Sequence, residues 1–374
     1  MHTRFEHSLG ALHIADRIAL NLGFDDERRS KIRLAALLHD LGHGPFSHLF
    51  EHALQRWNGN FSHETVTRWI IEEDPDISST LGTRLSRLVL DVLPSNPGKC
   101  SDTVCADIIS SGLDADKLDY LRRDSYHVGV AYGSFDLERI LHTVDVTPDG
   151  QNLCIQEKGK DAIENYRLGR YLMHAQVYEH HARIIADQMF LRAVELALSS
   201  NILDRSTLTK LYSRSGPHAH RRFLQYYHGL TDDSVYSMIL RRKASKAASF
   251  LNSVRERRLF KRAYELDLTL DVRDAKKRKR LSSLSLQEMK EKERQIARDA
   301  GLDPSHVIIH RSSISIKLFE PYDILVLRRN REVRTLDEMS PISATTRPLE
   351  RLFVFCPTGK EYNVRRAARQ HLGL

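Results

Sequence analysis

Five histidines, His39, His43, His48, His52 and His63, fall inside one short stretch of the chain. A solvated surface gains little from clustered imidazoles, whereas a metal or acid–base site needs them. The first of the five ends an apolar run. Lys31-Ile32-Arg33-Leu34-Ala35-Ala36-Leu37-Leu38 reads as a helix capped by Asp25 or Asp26, and it ends at Gly42. The pair His39-Asp40 therefore stands just before Gly42-His43-Gly44-Pro45, a break that no regular helix crosses. At such a break, side chains can turn into a cleft. Pro45 can start the next helix at Phe46.

The rest of the N-terminal two-thirds also reads as helices. Phe5 to Leu22 has apolar residues at helical spacing and stops at Gly23; Ser62 caps a helix running to Glu73. Pro94 to Lys99 is a loop, Asp116 to Asp124 is helical, and a long helix spans Ala162 to Ser199. Val144 to Ile155, broken by Pro148-Asp149-Gly150, is a β-hairpin. Composition shifts after Gly229. Arg241 to Arg280 is rich in Lys and Arg and includes Lys276-Lys277-Arg278-Lys279-Arg280, while Val307 to Leu318, Ile324 to Leu327 and Leu352 to Phe355 read as strands. The expectation is a mainly α protein: a helical catalytic domain over 1–230 and a smaller C-terminal α+β lobe over 231–374 that carries the basic segment. There is no internal repeat. The basic run reads as a solvated helix face or mobile linker, or more sharply as a contact for nucleic acid or nucleotide phosphate.

Hydrophobic content of 41% and charged content of 28% fit a globular enzyme rather than a disordered or membrane protein. No apolar run approaches bilayer length, and Met1 to Glu6 has no signal-peptide pattern. Cys100, Cys105, Cys154 and Cys356 lack paired spacing and read as free thiols, which points to the cytoplasm. The net charge of +8 suits polyanionic ligands.

A His-Asp pair alone means little, since about one is expected by chance in such a chain. Imidazole with carboxylate suits Mn, Fe, Zn or Mg, and a complete site needs ligands from other helices. His7 and Asp116 are candidates, each with a plain alternative as a hydrogen-bonded core histidine or a helix-capping aspartate. His48 and Glu51 stand three apart, so a carboxylate can orient or tune the imidazole. Asp116, Tyr120 and Asp124 repeat at i, i+4 and i+8 beside Lys117, and Arg170, His174 and Tyr178 repeat the same spacing. Either stripe reads as a solvated face. Against that, each pairs a tyrosine, suited to a sugar, with a cation suited to phosphate.

His-Thr-Arg-Phe-Glu-His-Ser at 2–8, His-Asp-Leu-Gly-His-Gly-Pro-Phe-Ser-His at 39–48 and Gly-Leu-Asp-Ala-Asp-Lys-Leu-Asp-Tyr at 112–120 together resemble HD-domain deoxynucleoside triphosphate triphosphohydrolases. That family includes bacterial HD phosphohydrolases and the mammalian sterile-alpha-motif/HD dNTPase. The resemblance runs from Met1 to about Phe190 and more loosely beyond. It implies a helical HD-domain core in which His7, His39, Asp40 and Asp116 hold a divalent metal, with Asp114 the neighbour that does not. It makes His43, His48, Glu51 and His63 catalytic. It places Lys117 and Arg170 on phosphate, Tyr120, Asp124 and Tyr178 on sugar, and Arg4 and His174 in the active site. It also implies a homo-oligomer acting on dNTPs, with water attacking the α-phosphorus to give deoxynucleoside and tripolyphosphate. Two other classes stay open: an HD phosphohydrolase for nucleoside monophosphates, cyclic nucleotides or oligonucleotides, and a non-catalytic nucleotide or nucleic-acid binder. Relatives carry a Gln-Arg-Leu-Arg type segment before the first motif that touches base and sugar and helps form an allosteric nucleotide site. This chain begins directly on the motif, so base preference and allostery are open.

Overall fold

The computed structural model describes residues 2–56, 61–94, 100–204, 208, 210, 212–213, 218–314, 324–340 and 349–372. Helix α1 (Arg4–Asn21) opens on a capping box: the Thr3 hydroxyl accepts from the Glu6 N–H, and the Glu6 carboxylate accepts from the Thr3 N–H at 2.6 Å. Its buried side chains, His7, Ala11, Ile14, Ala15, Ile18 and Ala19, recur every three or four residues and form one stripe. Helix α2 (Asp26–Leu38), capped by Asp25, buries Ile32, Ala35 and Ala36 and packs on α1. Alanines on both helices let the two axes approach closely.

Five more helices follow: α3 (His48–Gln55), α4 (His63–Glu73), α5 (Pro75–Val92), α6 (Thr103–Ile109) and α7 (Ala115–Val128). Helix α7 lies against α1, is capped by Asp114 and ends at Gly129 in the left-handed region, φ 77°. After α8 (Leu137–Thr143) come the strands, in chain order β1 (Val144–Val146), β2 (Leu153–Gln156), β3 (Lys261–Asp267), β4 (Ile308–Ile314), β5 (Leu325–Leu327), β6 (Val333–Thr335) and β7 (Leu349–Cys356). The expected hairpin is β1 with β2, Val144 opposite Ile155. Strand β5 adds parallel to β2 and β6 antiparallel to β5, giving the order β1-β2-β5-β6.

The chain forms two compact units, Met1–Met173 with Ser206–Thr231 and Phe319–Thr346, and His174–Arg205 with Asp232–Leu318 and Arg347–Leu374. A single cut after residue 230 would part α10 (His181–Ser199) from Lys246–Arg255, the helix it packs on. In the second unit an antiparallel sheet, β3-β7-β4, is covered by helices Leu286–Asp299 and Glu361–Leu372 over a core that includes Leu266, Ile296, Val354 and Val364. Arg192 and Glu293 pair there at 2.6 Å; Arg192 also donates to the Ser305 carbonyl, and Glu293 accepts the Ile309 N–H. This buried pair is tolerable because both partners are bonded on several sides.

Two sequence readings change. The helix expected from Phe46 begins at His48, because Phe46 and Ser47 have φ of 53° and 54°, outside any helical conformation. The long helix from Ala162 to Ser199 is interrupted: α9 (Lys160–Met173) passes into a π-helical turn, His174–Tyr178, before α10 starts. The i, i+4, i+8 stripe of Arg170, His174 and Tyr178 therefore does not run on one regular helix face. Of the two plain readings of the basic run, its Lys276–Arg280 part takes the helical one, lying within helix Ala275–Ser282, capped by Asp274. Of the predicted loop from Pro94 to Lys99 and the strand from Val307 to Leu318, residues 95–99 and 315–318 lie outside the described residues. Among the described residues no helix is long and apolar enough to cross a membrane.

Candidate active site

In the first unit, α1, the end of α2 and α7 bring His7, His39 and Asp116 together, their ligand atoms within 4.8 Å of one another, with Asp40 beside them. His7 on α1 sets Nε2 3.0 Å from Asp116 Oδ1 on the first turn of α7. His39, the residue that ends α2, sets Nε2 3.7 Å from the same oxygen and 3.3 Å from Asp40 Oδ1. Asp40 Oδ2 lies 3.9 Å from His7 Nε2. Both rings are held from behind. His7 Nδ1 meets Asp119 at 2.8 Å, and His39 Nδ1 meets the Ala36 carbonyl at 2.8 Å. Each bond leaves Nε2 turned inward, the arrangement found for histidines that ligate metals. Among the described residues, the buried His39 Nε2 has no hydrogen-bond partner. Asp114, the neighbouring candidate, instead caps α7 by accepting the Lys117 N–H at 2.8 Å and also accepts the Ser111 N–H.

Charge is concentrated here. Burial disfavours a charged His7, but Asp116 and Asp119 outweigh it and hold its pKa up at about 10. Burial likewise opposes ionisation of Asp116, and His39 and His7 overcome that and hold its carboxyl well below the usual range.

A second cluster adjoins the first through Asp40, whose Oδ1 is 3.5 Å from His43 Nε2. Glu51 on α3 gathers the histidines around it. His63 Nδ1 lies 2.9 Å from Glu51 Oε2, the His63 N–H donates to Oε1 at 3.0 Å, and His48 Nδ1 is 3.3 Å from Oε2. Burial opposes the Glu51 charge, yet the bonds from His48 and His63 hold its carboxyl far below the usual range. Burial, Arg4 and the neighbouring imidazoles push His43 far below its ordinary value, so it is neutral. The donor atoms of His43, His48, Glu51 and His63 lie within 4.8 Å of one another. The rings of His43 and His63, however, stack at 3.9 Å and 11°. Parallel rings cannot aim two in-plane lone pairs at one ion, so this geometry favours proton handling over a second metal. His52 stays apart, exposed on α3.

The break between α2 and α3 is what places these clusters side by side. Gly42 donates to the Thr67 hydroxyl at 2.9 Å, and that hydroxyl donates to the His39 carbonyl at 3.1 Å. Tyr227 donates to the Gly42 carbonyl at 3.0 Å. A Cβ on Gly42 would lie 2.0 Å from the His63 carbonyl and 2.4 Å from the Thr67 nitrogen. Gly42→Ala is expected to lower stability by about 1–3 kcal/mol, the usual cost of overpacking. An unchanged thermal midpoint would show that α4 yields freely.

Arg4 clamps the break from α1, donating to Asp40 Oδ2 at 2.6 Å and to the Ser47 hydroxyl at 3.0 Å. A cavity of about 90 Å³ touches His39, Asp40 and Asp116 on one side and His63 on the other. Lys117 pairs with Asp114, Asp124 is bonded to His2 at 2.8 Å, and Arg170 is buried on α9. Burial pushes the Tyr120 hydroxyl up to about 12, partly opposed by nearby Arg170. His174 and Tyr178 belong to the second unit, their rings 5.0 Å apart. Sequence reasoning missed Asp119, Thr67 and Tyr227. Asp119 had a signal, its place inside the Asp116-Lys117-Leu118-Asp119-Tyr120 motif; the other two had none.

The family described as HD domain matches residues 4–124, and the family described as HD associated region matches residues 135–374. An uncharacterised Bacillus subtilis protein, YwfO, is 39% identical over 204 residues, 52% of this chain and 46% of its own length. The Methanocaldococcus jannaschii protein MJ1154 is 40% identical over 215 residues, 56% of this chain and 43% of its own. Chicken deoxynucleoside triphosphate triphosphohydrolase SAMHD1 is 27% identical over 303 residues, 70% of this chain and 48% of its own. The chain spans less than half the length of these curated relatives. A solved structure of a hypothetical Aquifex aeolicus protein superposes with a TM-score of 0.73 at 25% identity, covering 98% of this chain and 86% of that one. A Bacteroides thetaiotaomicron phosphohydrolase shares the fold, with a TM-score of 0.72 at 24% identity over 95% and 87% of the two chains.

Proposed function

The chain belongs to the family of HD domains followed by an HD associated region, and from that premise we propose that it is a metal-dependent phosphohydrolase acting on deoxynucleoside triphosphates, releasing deoxynucleoside and tripolyphosphate. One observation carries the reading: ligand atoms of His7, His39 and Asp116 lie within 4.8 Å of one another with Asp40 flanking the two histidines, and the Glu51 histidine cluster stands beside them. Two imidazoles and two carboxylates fit Mn, Fe, Zn or Mg, and a buried His39 Nε2 with no hydrogen-bond partner among the described residues fits a ligand better than a structural histidine. The metal, when bound, polarises a phosphoryl oxygen and acidifies water.

The chain's own residues supply the rest. His48 is exposed, and Glu51 holds its Nδ1 side, so its other nitrogen is available to protonate the leaving oxygen. His63 is held by Glu51 at the start of α4 and lines the cavity that also touches His39, Asp40 and Asp116. Arg4, Lys117 and Arg170 supply cations, and Tyr120 and Asp124 supply sugar contacts. The resemblance adds His174 and Tyr178, assigned on that ground alone, and a homo-oligomeric state. A cytoplasmic location is supported by the four free cysteines. Contact with nucleic acid would involve the basic helix Ala275–Ser282.

The test is incubation of metal-loaded protein with each dNTP and NTP, with products resolved by chromatography. Tripolyphosphate from dNTPs alone is the expected result. Orthophosphate from monophosphates would assign the chain to another class of HD phosphohydrolase, and no turnover of any nucleotide would leave a binder.

A further inference from the structure

We propose that Asp119 is a positioning residue for the metal centre, holding His7 so that Nε2 rather than Nδ1 faces His39, Asp40 and Asp116. The proposal rests on the metal reading above and concerns a residue outside the four-ligand set.

Two adjacent turns of α7 clasp opposite ends of one imidazole. Asp116 meets Nε2 at 3.0 Å and Asp119 meets Nδ1 at 2.8 Å. The side chains of His7 and Asp119 are each only 9% exposed, so water does not compete for that second bond. Asp119 is itself fixed. Arg123, one turn further along α7, donates Nε to Oδ2 at 2.7 Å and a terminal nitrogen to Oδ1 at 2.9 Å. A forked guanidinium–carboxylate pair of this kind is rigid as well as strong.

The opposing helix is shaped for this arrangement. A Cβ on Gly10, three residues after His7, would lie 1.9 Å from Asp119 Oδ1 and 2.4 Å from Arg123. Glycine at 10 is thus what allows α1 to seat on the Asp119–Arg123 pair. An imidazole that gives its Nδ1 proton to a carboxylate is fixed in tautomer and orientation and is more basic at Nε2. Without Asp119, no other described residue bonds Nδ1 to stop the His7 ring from turning over or taking the other tautomer. The ligand would still be present but misaimed.

The experiment uses Zn²⁺ as probe ion, titrated in a chelator-buffered series into the full chain and into Asp119→Asn, Asp119→Ala and Arg123→Ala. Histidine ¹⁵N spectra are recorded for the Zn²⁺-loaded forms. The wild type is expected to carry its His7 proton on Nδ1. Asp119→Asn and Asp119→Ala should weaken Zn²⁺ about 10- to 100-fold, the usual effect of losing a partner behind a ligand, with one ion still bound at saturation. The His7 signals should shift toward mixed tautomers. Arg123→Ala, which keeps the acceptor, should lose less. A purely structural role would lower the melting temperature and leave Zn²⁺ affinity and the His7 signature unmoved, and that result overturns the proposal. Failure of the wild type to bind Zn²⁺ overturns the metal reading itself.

Discussion

Asp116→Ala is expected to abolish stoichiometric metal binding and hydrolysis together while leaving the fold close to intact. Asp116 Oδ1 faces both His7 Nε2 and His39 Nε2, at 3.0 and 3.7 Å. Its removal takes away a ligand and a negative charge at once, so affinity should fall by more than the ~100-fold that follows loss of an outer partner. The fold should survive because Asp116 is not the cap of α7; Asp114 is. Asp114→Ala provides the opposite signature. That carboxylate is fully buried and accepts from the Lys117 and Ser111 backbones and from the Lys117 ammonium. Its loss should cost about 0.5–2 kcal/mol for the cap alone and more for a stranded Lys117. Metal should stay bound in the folded fraction. Elemental analysis with thermal unfolding on both variants separates the roles, and full metal content in Asp116→Ala would show that this carboxylate is not a ligand.

Much of this site was legible because its residues sit at helix ends, where sequence rules are sharpest. Asp25 and Ser62 cap α2 and α4 as their chemistry predicts, and the Gly-rich break after Asp40 marks where α2 must stop. What stayed hidden depends on contacts between distant segments. Asp119 looks like any charged residue of a helix until its face of α7 is seen against α1. Tyr227 donates across 185 residues of sequence to the Gly42 carbonyl, and no local pattern encodes that bond. The delayed start of α3 has a similar cause. Pro45 is suited to open a helix, but the turn beside Tyr227 and the Arg4–Ser47 bond accompany Phe46 and Ser47 with positive φ. Such conformations cost energy and tend to persist where the surroundings fix a functional residue; here the residue they lead into is His48, the proposed acid. The π turn at His174–Tyr178 escaped because periodicity alone does not separate one long helix from two with a wide turn between them.

His48→Ala should retain metal and fold but lower kcat by about 10²–10⁴, the usual contribution of a positioned acid or base. The structure makes this a clean test. The His48 side chain is 63% exposed, so its truncation opens no cavity and strands no buried group. Glu51 keeps its two bonds to His63, and the His43–His63 stack has no need of the third ring. Nothing links His48 directly to His7, His39 or Asp116, so metal affinity should match the wild type. KM should move little, because the lost group acts on the leaving oxygen and not on ground-state binding. His63→Ala provides the contrast. It removes the partner of a buried carboxylate, so it should lower stability as well as turnover. The decisive measurement is the pair of kinetic constants with metal content held equal. If KM for the dNTP rises steeply while kcat at saturation survives, His48 is a phosphate-binding residue and the leaving-group proton must come from elsewhere in the cluster.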